Sequence, residues 1–250
     1  MKKRQAHPRL AVAATILGLL AFGTGAQAAG WENQITIYGW YAGLDGTVQS
    51  PIGAESSVEL EASDILEDLE LVFMGGYEGR TGRWSVIVDA VYMDVGGDGE
   101  AATALGTASG DLDISSWLVN AGIGYDLLQS DNGVLGIVGG VRYLSLDVDV
   151  DLSLQSASKT NTSDSENLTD GFVGLRGQVM FNDNWFLPYY ADIGTGGSDL
   201  SYQLYAALGY RFGWGDIRLG YRHLDIEMGD DKLMDSLQVS GPVFGIGFRF

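Results

Sequence analysis

The chain has 250 residues, with 33 Asp and Glu against 14 Lys and Arg and no cysteine, giving a net charge of −19 at neutral pH. Such acidity excludes nucleic acid as a natural partner, because phosphate binding needs a basic surface. The missing thiols exclude disulfides, thiol catalysis and thiolate metal sites.

In chain order, Met1–Arg9 carries Lys2, Lys3, Arg4 and Arg9, and Leu10–Gly25 is apolar almost throughout. Ala26-Gln27-Ala28 then has the small–x–small form of a signal-peptidase site. This order predicts an export signal over 1–28, cleaved after about Ala28. Sixteen apolar residues are short for a membrane anchor. Loss of the four leader cations takes the net charge to about −23. The remainder, 29–250, has the length of one domain and no Pro/Ser-rich linker.

Alternating segments recur across that domain, separated by turn residues. They fall at about 34–48, 69–80, 84–95, 114–127, 134–150, 168–181, 185–194, 200–212, 216–227 and 237–250. Tight turns are expected at Arg80–Arg83, Ser130–Gly133, Asn182–Asn184 and Gly213–Asp216. Longer links alternate with them, at about 49–68, 96–113, 151–167 and 228–236, with a shorter one at Gly194–Asp199. Short turns on one rim and longer loops on the other predict an all-β fold, a closed antiparallel up-and-down transmembrane β-barrel of about ten strands, within a range of eight to twelve. One segment departs from the pattern. Ser63–Leu71 offers a helix cap at Ser63 and apolar residues at helical spacing, so a short helix is expected over or in the barrel mouth. An extra strand pair there would raise the count to twelve.

The two faces of the strands differ. Leu135, Ile137, Val141 and Tyr143 alternate with Gly136, Val138, Gly140 and Arg142, while Ile217, Leu219 and Tyr221 alternate with Arg218, Gly220 and Arg222. Arg142, Arg176, Arg211, Arg218, Arg222 and Arg249 all share the small and polar face, with Glu78, Asp89, Asp126 and Asp192. A barrel in lipid turns its apolar face outward and its charges inward. These ten residues are therefore expected to form a charge network in the lumen. Trp84, Tyr125, Phe181, Trp185, Phe212, Trp214 and Phe250 gather by the short turns, and Tyr92, Trp117, Tyr143 and Tyr202 nearer the long links. Two such bands suit the two headgroup levels of a membrane.

The chain closes on Gly241–Phe250, in which Phe244, Ile246, Phe248 and Phe250 alternate with Val243, Gly245, Gly247 and Arg249. This alternating, Phe-terminated segment resembles the carboxy-terminal signature of bacterial outer-membrane β-barrels. The stretches at 139–149 and 219–229 resemble strands of small barrels of the OmpA and opacity-protein type. The resemblance implies the outer membrane of a Gram-negative bacterium, contact with lipid and lipopolysaccharide, and recognition of Phe244, Ile246, Phe248 and Phe250 by the barrel assembly machinery. It identifies a class and leaves the molecular activity and oligomeric state open, since such barrels include anchors, adhesins, narrow pores and a few enzymes.

A non-enzymatic structural or surface role is the expectation, with no cofactor. His223 is the one histidine outside the leader and lies on the outward face, with no serine at a diagnostic spacing beside it. That sets a lipid-modifying enzyme third, behind a narrow or gated porin-like channel. About ten strands lie near the side-chain-filled end of the barrel range, and inward charges in a narrow lumen are expected to pair. Asp147, Asp149 and Asp151 alternate along one strand side and are candidate contacts for a divalent cation.

Overall fold

The computed structural model describes residues 30–49, 55–67, 69–103, 106–154, 160–229 and 235–250. The expected signal segment, 1–28, lies outside these. Glu32–Phe250 is built almost wholly of strand: β1 (Glu32–Trp40), β2 (Gly43–Gln49), β3 (Glu55–Leu60), then helix α1 (Ala62–Glu67), β4 (Leu69–Thr81), β5 (Trp84–Thr103), β6 (Gly106–Ser130), β7 (Gly133–Leu154), β8 (Thr160–Met180), β9 (Trp185–Gly196), β10 (Leu200–Arg211), β11 (Gly215–Glu227) and β12 (Ser236–Arg249). Successive strands from β4 to β12 pair antiparallel, and β12 returns to β1.

The register gives the number of barrel staves. β12 pairs with β1 from Gln34↔Arg249 to Trp40↔Val243 and continues in step on β2 from Gly43↔Ser240 to Thr47↔Ser236. β1 and β2 are therefore two halves of one stave, and at the break the Tyr41 N–H still donates to the Pro242 carbonyl at 2.9 Å. With β4 to β12, the wall is a closed ten-stave antiparallel barrel. Asn33 and Phe250 exchange backbone hydrogen bonds of 3.2 and 3.1 Å at the seam, so the last strand has no free edge there.

Several links expected as loops are strand. β5 and β6 pair from Trp84↔Tyr125 to Thr103↔Gly106, and β7 and β8 pair up to Leu152↔Thr160, so most of 96–113 and 151–167 belongs to long hairpins. Backbone pairing continues there without the bulky alternation that marks a lipid-facing strand. Asp216, where the expected turn and the expected segment 216–227 overlap, lies in β11. The helix expected over 63–71 ends at Glu67, and Leu69 already opens β4. β3 pairs with β2 from Leu44↔Leu60 to Gln49↔Glu55 and adds a hairpin rather than a stave, because β4 takes the place beside β1 lower down, from Ile37↔Gly75 to Glu32↔Arg80. At the opposite rim the turns are tight. Gly82, at φ +57°, occupies a left-handed position that a side chain would strain.

The apolar face changes sides partway along the staves. On β7 the outward Ile137, Val141 and Tyr143 give way to Ser145, Asp147 and Asp149, while the inward Arg142 gives way to the buried Leu144 and Leu146. On β11 outward Leu219 and Tyr221 give way to Asp225 and Glu227, and inward Arg222 gives way to Leu224 and Ile226, each 1% exposed. On β12 outward Phe244 and Pro242 give way to Ser240 and Gln238, with Leu237 buried inside. Below this level the exterior has the composition of a lipid-facing wall; above it the strands have the polarity of a water-soluble barrel, apolar inside and polar outside.

The lower band has bilayer dimensions. Between its aromatic limits it spans nine residues on β5 (Trp84–Tyr92), nine on β6 (Trp117–Tyr125) and eleven on β10 with its turn (Tyr202–Phe212). A tilted transmembrane strand needs about 9–11. Ring contacts reinforce both limits: Tyr92 meets Trp117 at 4.7 Å between centroids, and Trp185, Tyr210, Phe212, Trp214 and Phe248 form a chain with successive spacings of 4.9, 4.8, 5.5 and 5.6 Å. The hairpins project well beyond this band. β6 has 25 residues, and its 106–116 portion alone runs about 35 Å along the strand.

Candidate functional site

The lumen holds three tiers, set by which inward residue each strand places at each height. The middle tier is charged. Arg142 on β7 crosses to Asp192 on β9, its Nη2 2.7 Å from each carboxylate oxygen. Its Nε donates to Asn120 Oδ1 at 2.9 Å and its Nη1 to Ser201 Oγ at 3.0 Å. Arg222 on β11 reaches Asp89 on β5 at 2.9 Å, Gln203 at 2.7 Å and the Tyr38 hydroxyl at 2.8 Å. Tyr38 in turn donates to Asp89 at 2.7 Å. Asn120 donates to Asp89 at 3.5 Å, which joins the two clusters into one lattice across the barrel. Nearly every donor on the two guanidiniums is engaged, as buried charge requires.

Two residues further along each strand, towards the long hairpins, the inward side chains are apolar. Trp40 follows Tyr38, Val91 follows Asp89, Leu118 lies above Asn120, Leu144 above Arg142, Leu168 above Asp170 and Leu224 above Arg222. With Leu146, Ile226, Met228 and Leu237 these form one buried cluster. The Arg222 guanidinium sits 4.7 Å from the Trp40 ring, so a cation–π contact joins the two tiers. Asp170, at the edge of the cluster, is held by the Ser198 N–H at 2.8 Å and hydroxyl at 2.6 Å.

The lower tier is a cavity of about 590 Å³ that reaches the short-turn rim at the exposed Glu32 and Arg249. Here Arg176 pairs with Glu78 and takes Ser85 Oγ at 2.9 Å. Glu78 also accepts Arg80 Nε at 2.5 Å, and Arg80 lies 3.5 Å from Asp126. Asp216, with its side chain 1% exposed, serves Arg218 Nε at 2.6 Å and Arg249 Nη2 at 3.2 Å, and accepts from Gln34 at 3.1 Å. Arg211 makes no ion pair among the described residues; its Nε is buried without a hydrogen bond and its guanidinium lies 5.3 Å from the Phe186 ring.

Of the ten lumen candidates, the structure brings Arg142 to Asp192, Arg222 to Asp89, Arg176 to Glu78, and Arg80 to both Glu78 and Asp126. Arg218 and Arg249 gather at Asp216, and Arg211 rests on Phe186. Asp216 and Arg80, each at the edge of an expected turn, stand outside the ten sequence candidates, although both continue the parity of their strands. The apolar tier lies outside the sequence candidates too, although Leu144, Leu146, Leu224 and Ile226 share the parity of Arg142 and Arg222.

The other named residues lie outside the lumen. Phe244, Phe248 and Phe250 are exposed on the outer wall, with Ile246 between them. Asp147 and Asp149 face outward on the projecting part of β7, where Asp149 stands opposite Asp113; the Asp151 side chain lies outside the described residues. No carboxylate–histidine group with metal-holding geometry occurs among the described residues. His223 faces outward at the upper limit of the apolar band. Its ring nitrogen lies 3.2 Å from the Tyr202 hydroxyl, which donates to Asp225 at 3.2 Å. Ser240 is the cross-strand neighbour of His223, but the histidine's hydrogen bond goes to Tyr202.

No family model and no curated protein sequence matches the chain. Among solved structures it is similar to the translocator domain of the autotransporter NalP from Neisseria meningitidis, at 15% identity and a TM-score of 0.47, covering 97% of this chain and 96% of that one. It is similar also to the outer membrane protease OmpT from Escherichia coli, at 9% identity and a TM-score of 0.48, covering 90% and 97%. A third is the attachment invasion locus protein Ail of Yersinia pestis, at 13% identity and a TM-score of 0.36, covering 88% and 99%. The architecture of this chain stands on its own register and face polarity: a closed ten-stave barrel of transmembrane type.

Proposed function

We propose that the chain is a non-enzymatic integral barrel of a Gram-negative outer membrane, with a non-conducting lumen and acidic hairpins carried on the cell surface among lipopolysaccharide. The observation that carries this reading is the stacking of the apolar cluster directly on the Arg142–Asp192 and Arg222–Asp89 lattice. An ion crossing it would have to separate buried charge pairs and then shed its water among leucines, two unfavourable steps in series. The outward carboxylates Asp147, Asp149, Asp225 and Glu227 lie above the apolar band and so meet water or headgroups.

The cavity of about 590 Å³ is the feature that favours a narrow channel instead. It lies on the short-turn side of the lattice, which fits a blind vestibule. Planar-bilayer recording of refolded protein, with insertion verified independently, tests the reading: a silent bilayer supports it, and steady conductance altered by Arg142→Gln overturns it.

A further inference from the structure

We infer that the lower cavity is a binding site for a small organic oxyanion, entered from the short-turn rim and organised around Arg211. The first ground is charge. In a chain of net charge −19, six arginines and only four carboxylates line this cavity. Asp126 balances the second guanidinium at Glu78, but Asp216 alone holds two, so the pairs already formed leave cationic charge over.

The second ground is the state of Arg211. Asp216, its register partner on β11, already accepts from Arg218, Arg249 and Gln34. Arg211 instead rests on the face of Phe186 at 5.3 Å, and Arg218 lies over the same ring at 5.7 Å. A stacked guanidinium keeps its planar fork of N–H donors available in the ring plane, the geometry that takes a carboxylate or phosphate by two parallel hydrogen bonds. The buried Nε of Arg211 without a partner is a donor for which the fold supplies no acceptor.

The third ground is size and lining. About 590 Å³ falls within the usual range for small-molecule pockets, roughly 300–1,000 Å³. Tyr38, Tyr190, Tyr205 and Phe186 line it beside the arginines, so an oxyanion carried on a flat or cyclic body meets both kinds of wall. The charge lattice closes the far end, which makes the site a pocket rather than a path.

The test is a calorimetric titration of refolded full-length protein in neutral detergent with phenyl phosphate, and with phenol as the uncharged comparator. Saturable phenyl phosphate binding that weakens with added salt, is at least tenfold stronger than phenol binding, and falls at least tenfold in Arg211→Gln supports the site. Arg211→Lys, which keeps the charge and loses the fork, is expected to fall in between. Heat-modifiable mobility verifies that each variant is folded. Repeating the titration in phosphatidylcholine nanodiscs with and without phosphatidylglycerol separates the sources. Competition by the anionic lipid assigns the site to a headgroup phosphate, and no competition assigns it to a soluble solute. Absence of saturable phenyl phosphate binding, or unchanged affinity in folded Arg211→Gln, overturns the inference.

Discussion

Arg142 and Asp192 meet across the lumen with one guanidinium nitrogen 2.7 Å from both carboxylate oxygens, and their side chains are 1% and 0% exposed. A pair this fully removed from water stabilises mainly by being complete. Arg142→Met leaves Asp192 buried without its counter-ion, and the expected loss is about 3–5 kcal/mol in urea unfolding of the lipid-reconstituted protein. The double variant Arg142→Met with Asp192→Leu removes both charges and is expected to recover most of that loss. Equal instability of the single and double variants would contradict a desolvated pair.

Asn120 makes the lattice one unit rather than two. It accepts from Arg142 at 2.9 Å and donates to Asp89 at 3.5 Å. A double-mutant cycle on Arg142→Met and Arg222→Met is therefore expected to give a coupling energy of about 0.5–3 kcal/mol, the range for residues sharing one network. In an Asn120→Leu background the coupling should vanish. Coupling that survives Asn120→Leu would mean that the clusters communicate by another route.

Phe186 is 1% exposed although it faces the lumen, and it owes its place to Gly209, its register partner. A Cβ at Gly209 would lie 2.6 Å from a ring carbon. Gly209→Val should thus push the ring off its seat and withdraw the surface on which Arg211 and Arg218 stack. The expected result is weakened phenyl phosphate binding with both arginines intact, and a crystal structure would locate the moved ring. Unchanged binding would mean that the ring is dispensable to the arginine geometry.

The strand faces were legible because a two-residue period needs only parity: Arg142, Arg176 and Arg222 could be assigned inward before any partner was known. Partners were not legible. Arg142 and Asp192 lie two staves apart, and barrel stagger, which parity does not encode, decides which inward residues share a height. The apolar tier was hidden for a different reason. "LSLDVDV" at 144–150 alternates as well as "GIVGGVRY" at 136–143, but with its bulky residues on the opposite face. Read with one face fixed as polar, 144–150 simply extends the strand 134–150 and its inward leucines go unexplained. Read as a change of solvent, it marks where lipid ends.

That change of solvent gives the sharpest test of membrane placement. Leu219 is 62% exposed, in the middle of the apolar band on β11, while Ser145 faces outward on β7 just above the band. Both are outward wall residues, so a soluble barrel would tolerate arginine at either. In a bilayer, Leu219→Arg places a cation near the hydrocarbon midplane and is expected to cost about 2–4 kcal/mol, whereas Ser145→Arg near the interface is expected to cost about 0–1 kcal/mol. Equilibrium unfolding from lipid vesicles measures both. Moving the same substitution from Leu219 to Tyr221 and then to Asp225 should lower the cost stepwise, because the first step climbs about 6–7 Å along the strand and the second about twice that. A flat profile would mean that the exterior meets the same solvent along its whole length, and the transmembrane reading would fall with it.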